Sequence, residues 1–327
     1  MNRRRFIKNA GSALVGAKLA GWTARMSGIA SATTNRPSMN AAAFHGTRRF
    51  VQTKFGRTAY VERGSGRVAL FLHGFPLNGF QWRGALDRLS AYRRCIAPDF
   101  LAMGYTEVAE GQTVAPNAQV AMLVELLDGL SISSVDLIAN DSGGAIAQLI
   151  VTRHPQRVRT LLLTNCDTEP ESPPAALLPV IALSKEGKFV DEWLAPWRAD
   201  KVRARSKDGI GGMCYADSTH PTDEAIDTYF TTLTSEPRRK ALVHAYAIAL
   251  EQNPLIGIEA SLKRSNVPTR ILWGTADTIF SPTSADYLDR TLGNSRGVRR
   301  LEGSKLFWPE ERPDVIAEEA RKLWSVT

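Results

Sequence analysis

The stretch Val135-Asp136-Leu137-Ile138-Ala139-Asn140-Asp141-Ser142-Gly143-Gly144-Ala145-Ile146-Ala147 is a short apolar run that halts at polar residues and resumes at once with helical periodicity. A run this short and apolar suits a strand buried on both faces, and the small residues that follow permit a sharp turn. Such a turn lifts one side chain above the end of a sheet, at a helix N-terminus whose dipole favours an anion. A turn this tight needs small residues two before and two after its apex. Asp141 has Ala139 and Gly143 there, whereas Ser142 would have Asn140 and Gly144, so the register favours Asp141. Read without chemistry, Asp141 is simply a helix cap, since aspartate is a favoured N-cap.

Outward from this turn, other short apolar runs recur at 68–72, 95–97, 161–164 and 270–273, and residues 49–63 read as a hairpin turning at Gly56. Helical patterns lie between them, near 79–91, 115–130, 143–154, 281–292 and 310–325. This alternation implies an α/β fold with a doubly wound, mostly parallel sheet covered by helices on both sides. Residues 167–265 break the rhythm with a Pro/Ser-rich entry and helical segments. An insertion at the C-terminal end of a strand is well placed to cover the crevice where open α/β sheets bind ligands, and it reads as a helical lid. The core is then 49–166 plus 266–327.

The formal net charge of +8 over 327 residues is concentrated at one end. Six positive residues, Arg3, Arg4, Arg5, Lys8, Lys18 and Arg25, fall within the first 32 residues, which contain no acid, and the remainder is near +2. A body so nearly neutral, without a zinc-finger or basic-zipper motif, excludes a phosphate-backbone partner. Asn2-Arg3-Arg4-Arg5-Phe6-Ile7-Lys8, the Gly/Ala-rich stretch 10–22 and Ala30-Ser31-Ala32 together resemble a cleavable twin-arginine export signal. The resemblance implies a periplasmic or secreted protein, with 33–48 as a linker. The apolar stretch is short and carries Lys18, which makes it a poor membrane span. Three widely spaced cysteines, Cys95, Cys166 and Cys214, indicate neither a disulfide framework nor a metal site.

Two further segments carry chemistry. Strand 68–72 runs into His73-Gly74-Phe75-Pro76, and Pro268-Thr269-Arg270-Ile271-Leu272-Trp273-Gly274-Thr275-Ala276-Asp277 is a strand followed by a turn that presents an aspartate. Together with the Asp141 turn, these segments resemble the α/β-hydrolase fold superfamily over residues 50–326. The branch they resemble most is that of the epoxide hydrolases and the haloalkane or haloacetate dehalogenases. The resemblance implies that Asp141 is the nucleophile and that the N–H groups of Phe75 and Ser142 form the anion-stabilising pair, with His73 holding its loop. Asp277 takes the place of the triad acid, with Asp167 as the alternative. The tail Gly303-Ser304-Lys305-Leu306-Phe307-Trp308-Pro309 departs from the pattern, because Leu306 stands where the family has its histidine. Leucine accepts no proton, and neither His45, His154, His220 nor His244 is an obvious replacement. Ser142 and Phe75 also replace the halide-binding Trp and Asn of haloalkane dehalogenases, which points toward an epoxide or another polar electrophile; for an epoxide the resemblance implies Tyr215, Tyr229 or Tyr246 as activators of its oxygen.

An apex carboxylate is suited to attack saturated carbon and leave an alkyl ester on the enzyme. Two other readings stand beside this one: a catalytically silent binding protein that keeps the pocket, and a serine esterase using Ser142. A small-molecule substrate is expected, with no metal and no organic cofactor.

Overall fold

The computed structural model describes residues 39–327. The signal-like segment 1–32 and the first part of 33–48 lie outside the described residues. Strands β1 (Arg48–Thr53), β2 (Gly56–Arg63), β3 (Val68–Leu72), β4 (Arg94–Pro98), β5 (Glu107–Val108), β6 (Val135–Asp141), β7 (Val158–Cys166), β8 (Thr269–Gly274) and β9 (Ser295–Leu301) join in one sheet. Its order is β1-β2-β4-β3-β6-β7-β8-β9, with β5 beside β2. From β4 to β9 every pairing is parallel, while β1 and β2 run antiparallel at one edge. This is the mostly parallel α/β sheet that the sequence implies.

Every residue of β3 and β6 is buried, which is why these central strands read as unbroken apolar runs. The edge strand β9 has the opposite character. In Ser295-Arg296-Gly297-Val298-Arg299-Arg300-Leu301 only Leu301 is buried, so the strand carried no apolar signal. Its arginines pair with acids on the neighbouring helices, as Arg299 does with Glu318 and Glu319, and a charged edge of this kind resists pairing with other chains.

Helix α1 (Ala41–Gly46) lies inside the stretch read as linker and corrects that reading in part. Asn40 caps it through the N–H of Ala43, and Phe44 packs edge-on against Phe80 at 5.1 Å. The backbone of Met39 donates to Asp87 and that of Ala41 to Glu224, so the start of the helix is fastened at two points. On the sheet, α2 (Arg83–Leu89), α3 (Pro116–Gly129) and α4 (Ser142–Arg153) follow strands β3, β5 and β6.

Between β7 and β8 the described residues form helices only, apart from one isolated bridge between Thr168 and Glu171. They are α5 (Leu178–Lys185), α6 (Ala195–Ala199), α7 (Lys201–Arg205), α8 (Ile210–Cys214), α9 (Asp223–Phe230), α10 (Pro237–Ala249) and α11 (Glu259–Lys263), with a π-helical turn at Val190–Leu194. After β8 come α12 (Pro282–Thr291), α13 (Trp308–Glu311) and α14 (Pro313–Trp324). Helix α14 packs on α2, and α3 packs on α4. No helix among the described residues is long and apolar enough to cross a membrane.

Candidate active site

Asp141 ends β6 and caps α4 with φ +57° and ψ −136°, a conformation that costs a non-glycine residue about 1–3 kcal/mol. It is therefore Asp141 that occupies the apex of the turn, while Ser142 is already the first residue of the helix and is buried. The glycines explain how the turn fits. A Cβ on Gly143 would come within 2.6 Å of the His73 carbonyl oxygen, and one on Gly74 within 2.7 Å of the Asp141 Cβ. Both loops can close on the carboxylate only because those side chains are absent.

The Asp141 Oδ1 accepts hydrogen bonds from the backbone N–H of Phe75, at 2.9 Å, and of Ser142. The two amides expected to form an anion-stabilising pair thus converge on one oxygen of the carboxylate itself. Oδ2 has no hydrogen-bond partner among the described residues. Asp141 lines a cavity of about 120 Å³ together with Phe75, Phe189, Trp193, Trp197, Leu306 and Phe307. Among the described residues it is the one charged residue in that lining. Burial raises its carboxyl above the usual aspartate range, and the two amides oppose the rise.

His73 lies behind the loop. Its Nδ1 faces the Gly74 carbonyl at 2.9 Å and its Nε2 accepts from the N–H of Phe100 at 3.0 Å, which fixes the neutral tautomer with the proton on Nδ1. Burial pushes its pKa down to about 4. Both nitrogens are occupied in holding the loop.

Asp277 sits just behind the cavity wall, where its Oδ1 accepts from the N–H of Ile279 at 2.8 Å and its Oδ2 from Asn165 Nδ2 at 2.7 Å. The Asn165 Oδ1 accepts from Gly274 N and from Trp308 Nε1. Asn165 and the Ile279 amide therefore hold one oxygen each of Asp277, and Trp308 in turn fixes Asn165. Burial, and then the charge of Asp141, push Asp277 up to about 6 against the lowering effect of its donors. Asp167 follows Cys166, the β7 residue that pairs with Asp141 across the sheet. It accepts from Ser172 Oγ at 2.9 Å, and burial with the Asp141 charge pushes it up to about 7.

Leu306 is buried and lines the cavity, and its carbonyl accepts from Asn140 Nδ2 at 3.1 Å. No histidine among the described residues lines the cavity. His244 Nε2 accepts from the N–H of Val190, and His220 stacks on Tyr215 with ring centroids 5.5 Å apart. Neither insertion histidine is directed at Asp141.

Of the three insertion tyrosines, two are committed elsewhere. Tyr215 and Tyr229 donate to Glu310 Oε2 at 2.9 and 2.7 Å, and the Arg83 guanidinium lies 2.8 Å from Oε1 in a buried ion pair. Tyr246 differs. Its ring packs against Phe75 at 5.4 Å, and its buried hydroxyl lies beside that of Ser142, which in turn adjoins the Asp141 carboxylate.

Sequence reasoning missed the polar network that holds the site together. Gln81 accepts from Gly74 N and donates to Asn140 Oδ1, while Asn140 donates to Thr164, Asn165 O and Leu306 O. One amide chain therefore ties the His73 loop, the Asp141 turn, the end of β7 and the tail loop. Asn140, adjacent to the apex, was the only member with a sequence signal.

The alpha/beta hydrolase fold family model matches residues 68–305. Haloalkane dehalogenase 2 of Mycobacterium tuberculosis is 26% identical over 274 residues, covering 82% of this chain and 92% of that protein. A 2-hydroxy-6-oxo-2,4-heptadienoate hydrolase of Pseudomonas putida is 36% identical over 103 residues, which is 31% of this chain and 37% of that protein. Among solved structures, the epoxide hydrolase CorEH superimposes with TM-score 0.70 at 19% identity, covering 85% of this chain and 98% of that one. A reconstructed ancestral haloalkane dehalogenase gives TM-score 0.68 at 21% identity, over 85% and 100% of the two chains.

Proposed function

Because the chain belongs to the alpha/beta hydrolase fold family, we propose that it acts on a small organic electrophile of epoxide or halide type, with Asp141 as nucleophile beneath the helical insertion as lid. The observation that carries this reading is the divided carboxylate. Two amides hold Oδ1, and Oδ2 is left without a partner at the wall of an apolar cavity. The amides also withdraw charge from the ester carbonyl that Oδ1 becomes, so they favour the later attack of water on it.

In the first step Oδ2 attacks the electrophilic carbon, the carbon–leaving-group bond breaks, and an alkyl ester remains on Asp141. The adjacent buried hydroxyls of Tyr246 and Ser142 support an oxygen leaving group, because an opened epoxide oxygen can accept a hydrogen bond from either one. The second step requires an activated water. A positioned base usually contributes about 100- to 10,000-fold, and Leu306 removes the expected one, so the ester outlives a normal turnover. Intact-mass analysis after incubation with an epoxide and alkyl-halide panel tests the reading. A single stoichiometric adduct that maps to Asp141 supports it, and no adduct with no turnover contradicts it.

The silent-binder reading is favoured by one specific feature, the commitment of both Asp277 oxygens to Asn165 and the Ile279 amide. An Asp141→Ala variant that keeps ligand affinity, alongside the absence of any adduct, would support it. A serine esterase is disfavoured because Ser142 Oγ lies inside the first helical turn with no base in reach. A covalent organophosphate label on Ser142 would reverse that judgement. Export by the twin-arginine route is supported by the residue order at positions 1–32. Mature protein beginning after Ala32 is the expected result of N-terminal sequencing, and an intact Met1 in cell-envelope fractions is the contrary one.

A further inference from the structure

We propose that the cavity over Asp141 selects its occupant by positive charge, and that it binds a small organic cation, an alkylammonium or sulfonium group. The inference does not rest on Asp141 being alkylated. Its first basis is the wall. Phe75 and Phe189 have ring centroids 5.9 Å apart, Phe189 and Trp193 5.8 Å, and Trp193 and Trp197 5.4 Å, a continuous aromatic run from the carboxylate outward, with Phe307 also in the lining. Aromatic faces carry negative quadrupole charge and attract a cation within about 6 Å of the ring centroid.

The second basis is the charge at the inner end. Asp141 has an unpartnered oxygen there and is only 7% exposed, while Asp167 and Asp277 stand behind it. All three make hydrogen bonds to neutral donors, and none has an ion-pair partner among the described residues. The cavity lining contains no Lys, Arg or His. A buried carboxylate without a counter-charge is costly, so this end of the cavity is complementary to a cation and repels an anion.

A third observation decides between kinds of cation. The described residues contain no group of three or more His, Cys, Asp and Glu side chains placed to hold a metal ion together. The carboxylates are too dispersed for a bare ion, whereas an alkylated onium group spreads its charge over a methyl surface that suits aromatic walls. The same electrostatics exclude haloacids, whose own carboxylate would face Asp141.

The test is calorimetric titration of the full-length chain with choline and with its uncharged carbon isostere, in which a tert-butyl group replaces trimethylammonium. The expected result is choline binding at least about tenfold more tightly than the isostere. Asp141→Asn and Trp193→Leu are each expected to remove that preference, with circular dichroism confirming that both variants are folded. Equal affinities for the two probes, no binding of either, or a preference that survives both substitutions would each overturn the proposal. An adduct on Asp141 from a neutral epoxide, with no choline preference, would leave the nucleophile standing and remove the cation site alone.

Discussion

At the residue scale, the arrangement turns on how one carboxylate is shared. Asp141 is strained at φ +57°, fixed by two amides through one oxygen, and open to the cavity through the other. In the proposed reaction, Leu306 sets how far the chemistry proceeds. A Leu306→His variant is expected to raise the rate of adduct loss from Asp141 by at least about 100-fold if the imidazole can use Asp277, as measured by the decay of the adduct mass. No acceleration would show that Asp277, held by Asn165 and the Ile279 amide, stays out of reach. Burial pushes Asp167 up to about 7 and Asp277 up to about 6 from an ordinary 3.8, so at these two groups the folded chain binds more protons than the unfolded one across that window. Through them stability falls as pH rises, against the opposite contribution of His73, which is pushed down to about 4. Asp167→Asn is expected to flatten the decline of the thermal midpoint between those pH values, and an unchanged slope would contradict the assignment. The apex was legible because small residues at fixed offsets mark a tight turn. Asn165 and Trp308 were not, because a buried amide or indole that satisfies a neighbour has no periodic signature.

At the scale of elements, the tail loop that carries Leu306 fastens the insertion to the core. Phe307 N donates to the Cys214 carbonyl, Lys305 Nζ to the Gly212 carbonyl, and Glu310 receives Tyr215, Tyr229 and Arg83. Glu310→Ala leaves the Arg83 guanidinium buried and uncompensated and is expected to cost about 3–5 kcal/mol in denaturant unfolding. A loss below about 1 kcal/mol would show that the ion pair is not a fastening. The tyrosines separate by role in the same way. Tyr215→Phe and Tyr229→Phe are expected to lower stability and leave the rate of Asp141 alkylation by an epoxide near that of the parent. Tyr246→Phe is expected to slow it by about tenfold or more, and equal rates in all three would remove Tyr246 from the reaction. Central strands and amphipathic helices were readable from their periodicity. Helix α1 and strand β9 were not, since a three-alanine run after a proline-containing stretch and an arginine-rich edge both read as surface chain.

At the scale of the whole molecule, a parallel sheet sets the turn at the end of β6 opposite the His73 loop, and a helical insertion supplies the aromatic wall above it. The alternation of short apolar runs and helices revealed the sheet, and the break in that alternation falls where the helices between β7 and β8 lie. Which insertion residues face the carboxylate depends on long-range packing, and no local pattern gives it. That packing separates Tyr246 from Tyr215 and Tyr229, and Trp193 from the outer surface of the helices. The reading of the molecule as a carboxylate-nucleophile enzyme is tested most directly by intact-mass spectrometry of the purified chain after exposure to an epoxide series, followed by peptide mapping. The expected result is one added alkyl mass per chain, located on Asp141, slow to disappear and absent in Asp141→Asn. An unmodified chain across the series, or an adduct on Ser142, would contradict it.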